Sequence, residues 1–187
     1  SSLFVIEAGN RKYSEFLDKH RLVPLGEWVP KLLPNLSLIG GIEPGESSRL
    51  LHWHGPSLIG VICYEISDGR AISKAAINGG EWIVSIANLD PYPIALQRQF
   101  LALAQLRSIE SGRDLVSVSN TGPTSLINRF GKVKYILPSF KEDVAIVEVN
   151  LSNEKTFYSI FGERSLIFLL TFSLILLFLI QGNYKLN

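Results

Sequence analysis

The chain has 187 residues, 47% of them hydrophobic, with 18 basic and 17 acidic side chains and a formal net charge of +1. That length suffices for one domain with a real core, and with a balanced charge and no basic stripe nothing points to nucleic acid as a partner. A single cysteine, Cys63, excludes an internal disulfide and any multi-cysteine metal site.

In chain order, residues 3–8 read as a strand, Gly9-Asn10 as a turn and residues 12–18 as the returning strand of a hairpin. The chain contains no methionine and runs from Ser1-Ser2 straight into this pattern without a signal peptide. A fragment or processed product that begins in mid-fold is the expectation. Pro24, Pro30 and Pro34 then rule out a regular helix. Lys19 closes the returning strand and Glu27 follows across a Pro/Gly turn, a spacing that could bring both heads into one cleft. Two solvated surface charges would show the same spacing. Residues 28–57 are long, irregular and apolar in places (Trp28, Leu32, Leu33, Leu36, Leu38, Ile39). That is the character of a functional lid, and apolar lid residues suit lipid chains. His52-Trp53-His54 would set two histidines on one face of a strand, but no third ligand stands at a recognisable spacing, so no metal is expected.

The run Leu58-Ile59-Gly60-Val61-Ile62 suits a strand buried on both faces. It ends in Cys63, Tyr64 and Glu65, and residues 70–77 then read as a helix, with Ser67 or Asp68 as its N-cap and Gly79-Gly80 at its end. Cys63 therefore falls at a strand-to-helix turn, where ligands gather in α/β folds. The positive end of the helix would favour its thiolate. The plainer reading of a lone cysteine after an apolar run is a core residue.

Residues 82–87 read as another buried strand, ending in Asn88-Leu89-Asp90-Pro91. Residues 94–111 read as a helix, with Leu96, Phe100, Leu103, Leu106 and Ile109 at helical spacing and Gly112 as its stop. Residues 114–119 read as a strand, and 124–128, 132–137 and 144–149 as antiparallel strands. The pattern is α/β with a mixed sheet. Residues 165–180 carry no charge, and continuing to Tyr184 supplies the length of a transmembrane helix over 165–184, with Tyr184 and Lys185 as interface anchors. A buried core helix is the alternative.

Four motifs occur in order: Asp18-Lys19-x-x-Leu22-Val23-Pro24-x-Gly26-Glu27, Cys63-Tyr64-Glu65, Arg107-x-Ile109-Glu110-x-Gly112-Arg113 and Asn120-Thr121-Gly122. With these the chain resembles the apolipoprotein N-acyltransferases, membrane-embedded members of the nitrilase superfamily, over nearly its whole length. It matches the C-terminal part of the nitrilase-like domain (residues 1–160) followed by the last transmembrane helix. The resemblance implies a four-layer αββα sandwich. It matches Cys63 to the nucleophile of a Glu-Lys-Cys triad, Lys19 to the triad lysine and Glu27 to a supporting glutamate. Tyr64 and Glu65 match residues lining the site, and Asn88 a strand-end residue at its edge. It further implies transfer of an acyl chain from a phospholipid to the amine of an apolipoprotein's diacylglyceryl-cysteine, through a thioester on the periplasmic side of the bacterial inner membrane. No cofactor or metal is implied. A nitrilase-superfamily amidase and a non-catalytic membrane-tethered remnant are the alternatives.

Two departures stand out. The family's general-base glutamate lies before the opening strand, and Glu7 and Glu15 are outside its motif, so the chain alone is expected to be inactive. The family's Asn-Asp-x-Trp-Phe loop is here Asn88-Leu89-Asp90-Pro91-Tyr92-Pro93.

Overall fold

The structure, a computed structural model, describes residues 1–9, 12–29 and 42–184, with side chains as far as Phe178. A hairpin opens the chain: β1 (Ser2–Val5) pairs antiparallel with β2 (Glu15–Asp18), Ser2 opposite Asp18. Six strands form the main sheet in sequence order: β3 (Leu50–Leu51), β4 (Leu58–Ile62), β5 (Trp82–Ala87), β6 (Leu115–Ser119), β7 (Ser125–Ile127) and β8 (Val133–Ile136). β4, β5 and β6 are parallel, and the outer pairings are antiparallel. The mixed α/β reading holds.

The parallel centre follows from its crossovers. α1 (Gly69–Ile77) joins β4 to β5 and α2 (Ile94–Ser111) joins β5 to β6, each returning the chain to the same sheet edge. Side chains alternate along β4 as a pleat requires. Ile59 and Val61 pack with Ile72, Ala75, Ala76 and Ala104 on the helix side. Leu58 and Ile62 pack with Leu17, Leu3 and Val5 on the hairpin side. Helices, sheet and hairpin thus make three layers around two apolar interfaces, and all five β4 residues are buried, as the unbroken apolar run foretells.

Buried Arg113 stitches the helix ends to the sheet. Its guanidinium donates to Ala76 O at the end of α1, to Ser111 O and Gly112 O at the end of α2, and to Gly80 O and Glu154 O. A cation against helix C-termini is favourable as well as satisfying their last carbonyls. Gly112 ends α2 with φ 67°, a left-handed conformation that a glycine adopts without strain.

At the C-terminal end one expectation differs from the structure, and another falls only partly on the described side chains. Residues 144–149 form no strand: Ala145, Val147 and Val149 turn inward and Val144 and Ile146 outward, but no neighbouring strand among the described residues offers a ladder. The span expected over 165–184 falls on α4 (Arg164–Tyr184), after a short α3 (Phe157–Phe161). Among the described residues no helix is long and apolar enough to cross a membrane. The described side chains of α4 stop at Phe178, short of the roughly 20 apolar residues a bilayer core needs. Tyr184 and Lys185 as anchors, the Gly9-Asn10 turn beyond Gly9, and the apolar residues Leu32, Leu33, Leu36, Leu38 and Ile39 lie outside the described residues or side chains.

Candidate active site

The three parallel strands end side by side, and their carboxyl ends line a cleft of about 900 Å³. β4 delivers Cys63, β5 delivers Asn88, and β6 delivers Ser119 and Asn120; Lys19, from the end of β2, and Glu27 complete the wall. Cys63, Lys19, Glu27 and Asn88 therefore meet in one place, where strand ends in α/β sheets present their ligands.

Cys63 does not continue the strand. Its φ is +54°, left-handed and strained for a residue with a side chain, and it opens a 3₁₀ turn over Cys63–Ser67. The turn lifts the half-buried sulfur out of the sheet. Burial pushes the thiol pKa above its ordinary value; the Lys19 charge and the Tyr64 backbone N–H pull it down, and the Glu27 and Glu65 charges push it up again. The helix N-terminus expected to lower the thiol pKa is thus set against burial, which raises it. The 3₁₀ turn intervenes, and Asp68 caps α1 itself by accepting from the Ala71 N–H at 3.0 Å.

Lys19 is buried, and its ammonium donates to both Glu27 oxygens at 2.7 and 2.6 Å. Burial works to raise the Glu27 carboxyl, but the hydrogen bonds from Lys19 and the Val23 N–H and the Lys19 charge outweigh it, so its pKa is lowered. Glu27 is the only carboxylate on the cleft wall among the described residues.

The other expected residues divide. Asn88 lines the cleft, held by the Asn120 amide at 2.8 Å while its own oxygen accepts from the Asp90 N–H. Tyr64 lies off the cleft under the Arg21 guanidinium, 5.6 Å from its ring centre. Glu65 also lies off it, 2% exposed, with its carboxylate tied up by backbone N–H groups and by Arg49. His52 and His54 sit past the end of β3 with separate partners, Ser57 and Glu7. Among the described residues no group of three His, Cys, Asp or Glu side chains converges as a metal site.

Three residues that brace the surroundings of the cleft escape the sequence reading. Buried Gln97 braces the altered loop by donating to Leu89 O and Tyr92 O. Asn120 belongs to a quoted motif but carries no role until its amide is seen between Asn88 and the Leu89 N–H. Arg49 stands alone in an aperiodic stretch, where nothing marks it as buried.

No family model matches the chain. It is 55% identical over 171 residues to an apolipoprotein N-acyltransferase of Prochlorococcus marinus strain SARG, covering 89% of this chain and 35% of that relative. A second Prochlorococcus marinus apolipoprotein N-acyltransferase, of strain MIT 9313, is 49% identical over 179 residues, 94% of this chain and 36% of its own. The chain thus spans about a third of the length of the curated relatives it matches. In fold it is similar to a Nesterenkonia amidase of the nitrilase superfamily, with a TM-score of 0.51 at 15% identity over 75% of this chain and 49% of that one. At this identity over nearly its whole length, the chain belongs to the apolipoprotein N-acyltransferase family.

Proposed function

We propose that this chain carries the cysteine centre of an N-acyltransferase that moves a fatty acyl chain from a phospholipid to the N-terminal amine of an apolipoprotein's S-diacylglyceryl-cysteine. One observation carries the reading: Cys63, Lys19 and Glu27 meet in one cleft at the carboxyl ends of parallel strands.

The Cys63 sulfur attacks the ester carbonyl carbon of the phospholipid. A carbon–sulfur bond forms, the ester carbon–oxygen bond breaks, and the lysophospholipid leaves as an alcohol carrying the thiol's proton. Lys19 and the Tyr64 N–H supply positive charge where the oxyanion develops. The apolipoprotein amine then attacks the thioester; a carbon–nitrogen bond forms, the carbon–sulfur bond breaks, and the amine's proton passes to the released sulfur. Glu27 is a poor base here, because its pKa is lowered and Lys19 occupies both its oxygens. Its part is to hold the ammonium at the cleft. Asn88 meets the substrate at the cleft edge.

Helices, six-stranded sheet and hairpin make three of the four layers of an αββα sandwich in this reading. The domain faces the periplasm at the bacterial inner membrane, and α4 is its membrane contact. Support for that contact comes from Leu166, Phe168, Phe172 and Phe178, exposed apolar side chains on a helix without a polar face. Because the chain alone is expected to be inactive, the test is mass spectrometry of Cys63 after incubation with phospholipid vesicles, in a polypeptide of the curated relatives' full length that contains this chain. A hydroxylamine-labile fatty acyl adduct on Cys63, discharged by a lipopeptide amine, is the expected result. Absence of the adduct under turnover conditions, or its discharge by water alone, overturns the reading.

A further inference from the structure

Arg49 and Glu65 form a second charged pair behind the cleft, away from the chemistry. Their side chains are each 3% exposed and meet at 2.7 Å. What they hold besides each other is specific. Glu65 Oε1 accepts from the backbone N–H groups of His20, at 2.7 Å, and Arg21, at 3.1 Å. Its Oε2 accepts from the Ile62 N–H at 2.8 Å. Arg49 donates to Asp18 O at 3.0 Å, and to Glu46 O. The pair thus grips the backbone immediately before and after Lys19, and the residue immediately before Cys63.

We propose that the buried Arg49–Glu65 pair is the positioning device of the site, tying the chain on both sides of Lys19 to the strand end that presents Cys63, and so setting the ammonium against the sulfur. The inference rests on the reading of Cys63 and Lys19 given above. Two physical arguments lead to it. A buried ion pair is by itself weak evidence of a stabilising role, so the groups it holds say more about its purpose. And its hydrogen bonds go to groups on different layers, the hairpin and the sheet, whose relative position no backbone ladder sets. Glu65 and Arg49 touch no substrate in this scheme; they act through Lys19 and Cys63.

The readout is the pH midpoint for alkylation of Cys63 by iodoacetamide, followed in the full chain. The charges facing the sulfur are Lys19, Glu27 and Glu65. Lys19→Ala removes the one cation and raises the midpoint by about one pH unit or more, which slows alkylation near neutrality about tenfold. Glu65→Gln separates two hypotheses by sign. As a mere nearby charge, Glu65 disfavours the thiolate, so its removal would lower the midpoint. As the positioning device, its loss lets Lys19 drift from the sulfur, and the midpoint rises as it does in Lys19→Ala.

A rise in both variants, with native circular dichroism, supports the proposal. A rise in Lys19→Ala with a fall or no change in Glu65→Gln overturns it and leaves the site reading intact. No change in Lys19→Ala overturns the site reading, and the proposal with it. Should Glu65→Gln unfold by stranding Arg49, the double variant Arg49→Met/Glu65→Leu removes both charges at similar volume, and the same criteria apply. Independently of any variant, the amides of His20, Arg21 and Ile62 in the parent chain exchange slowly and together; rapid exchange of the first two refutes the grip.

Discussion

The Lys19 ammonium donates to both carboxylate oxygens of Glu27 while only 3% exposed, and Glu27 itself is 17% exposed. An ammonium so far from water needs a counter-charge close at hand. Glu27 supplies it and takes two of the three N–H groups a lysine carries, which leaves one for the cleft. Neutralising Lys19 and aiming it are therefore the same interaction.

That interaction predicts a pH signature in stability. The Glu27 pKa is lowered in the folded chain, so its ionised form contributes stability above the ordinary carboxylate range and loses that contribution as pH falls through the lowered value. Glu27→Gln should be about 2 kcal/mol less stable than the parent at neutral pH. The gap should close only below a pH of about 4. Denaturant titrations at stepped pH check this; a gap that persists unchanged into strong acid would show that the lost contact is not ionic.

A second prediction concerns the backbone at Cys63. With φ at +54°, any side chain there pays the left-handed penalty, and glycine does not. Cys63→Gly and Cys63→Ala both remove the sulfur, but Cys63→Gly should be the more stable by about 1 kcal/mol. Thermal unfolding of the two variants side by side measures the difference. Equal stabilities would mean that the strand relaxes and that the turn does not hold Cys63 in a strained conformation.

Much of this was legible in the sequence wherever two local signals agree. The apolar run 58–62 and the cap at Asp68 together mark the strand-turn-helix that carries Cys63, and Gly112 marks the end of α2. Lys19 and Glu27 are an ambiguous pair until the hairpin packs on the sheet. Arg49 was not legible, because a single charged residue carries no period and its burial depends on closure against Glu65 and Asp18. Residues 144–149 alternate as a strand should, yet a ladder needs a neighbour that no pattern within one segment can specify. The raised thiol pKa escaped for a similar reason: proximity to a helix start is local, whereas burial is tertiary.

Packing gives a third prediction from two glycines. A methyl at Gly60 would meet Leu17 Cδ1 at 3.5 Å and Leu51 Cδ1 at 3.6 Å, ordinary contact distances on the hairpin side of β4. A methyl at Gly80 would overlap Ile59 Cγ1, with Ala75 O at 3.1 Å behind it. Gly60→Ala should therefore be neutral or stabilising by up to about 1 kcal/mol, since it also removes glycine's extra chain entropy. Gly80→Ala overpacks the helix-side core and should cost about 1–3 kcal/mol. Chemical denaturation ranks the two; the reverse order would mean that the helix-side core yields more readily than the hairpin interface.

The last prediction concerns α4. Leu166, Ile167, Phe168, Phe172 and Phe178 are between 56% and 77% exposed, so consecutive positions around the helix all present apolar side chains to their surroundings. So large a continuous apolar surface is unfavourable in water and favourable against acyl chains. Little fixes the helix to the domain: the Arg70–Glu163 pair at its base, 3.0 Å apart, has side chains 80% and 57% exposed and contributes at most a weak tether. A variant ending after Gly162 should therefore keep the circular dichroism and unfolding transition of the α/β domain, and should remain in the supernatant when spun with phospholipid vesicles that carry the full chain down. If the shortened variant sediments as well, the membrane contact lies elsewhere on the domain. If the full chain stays monomeric in the supernatant, α4 folds back onto protein, and the membrane reading of its apolar surface is lost.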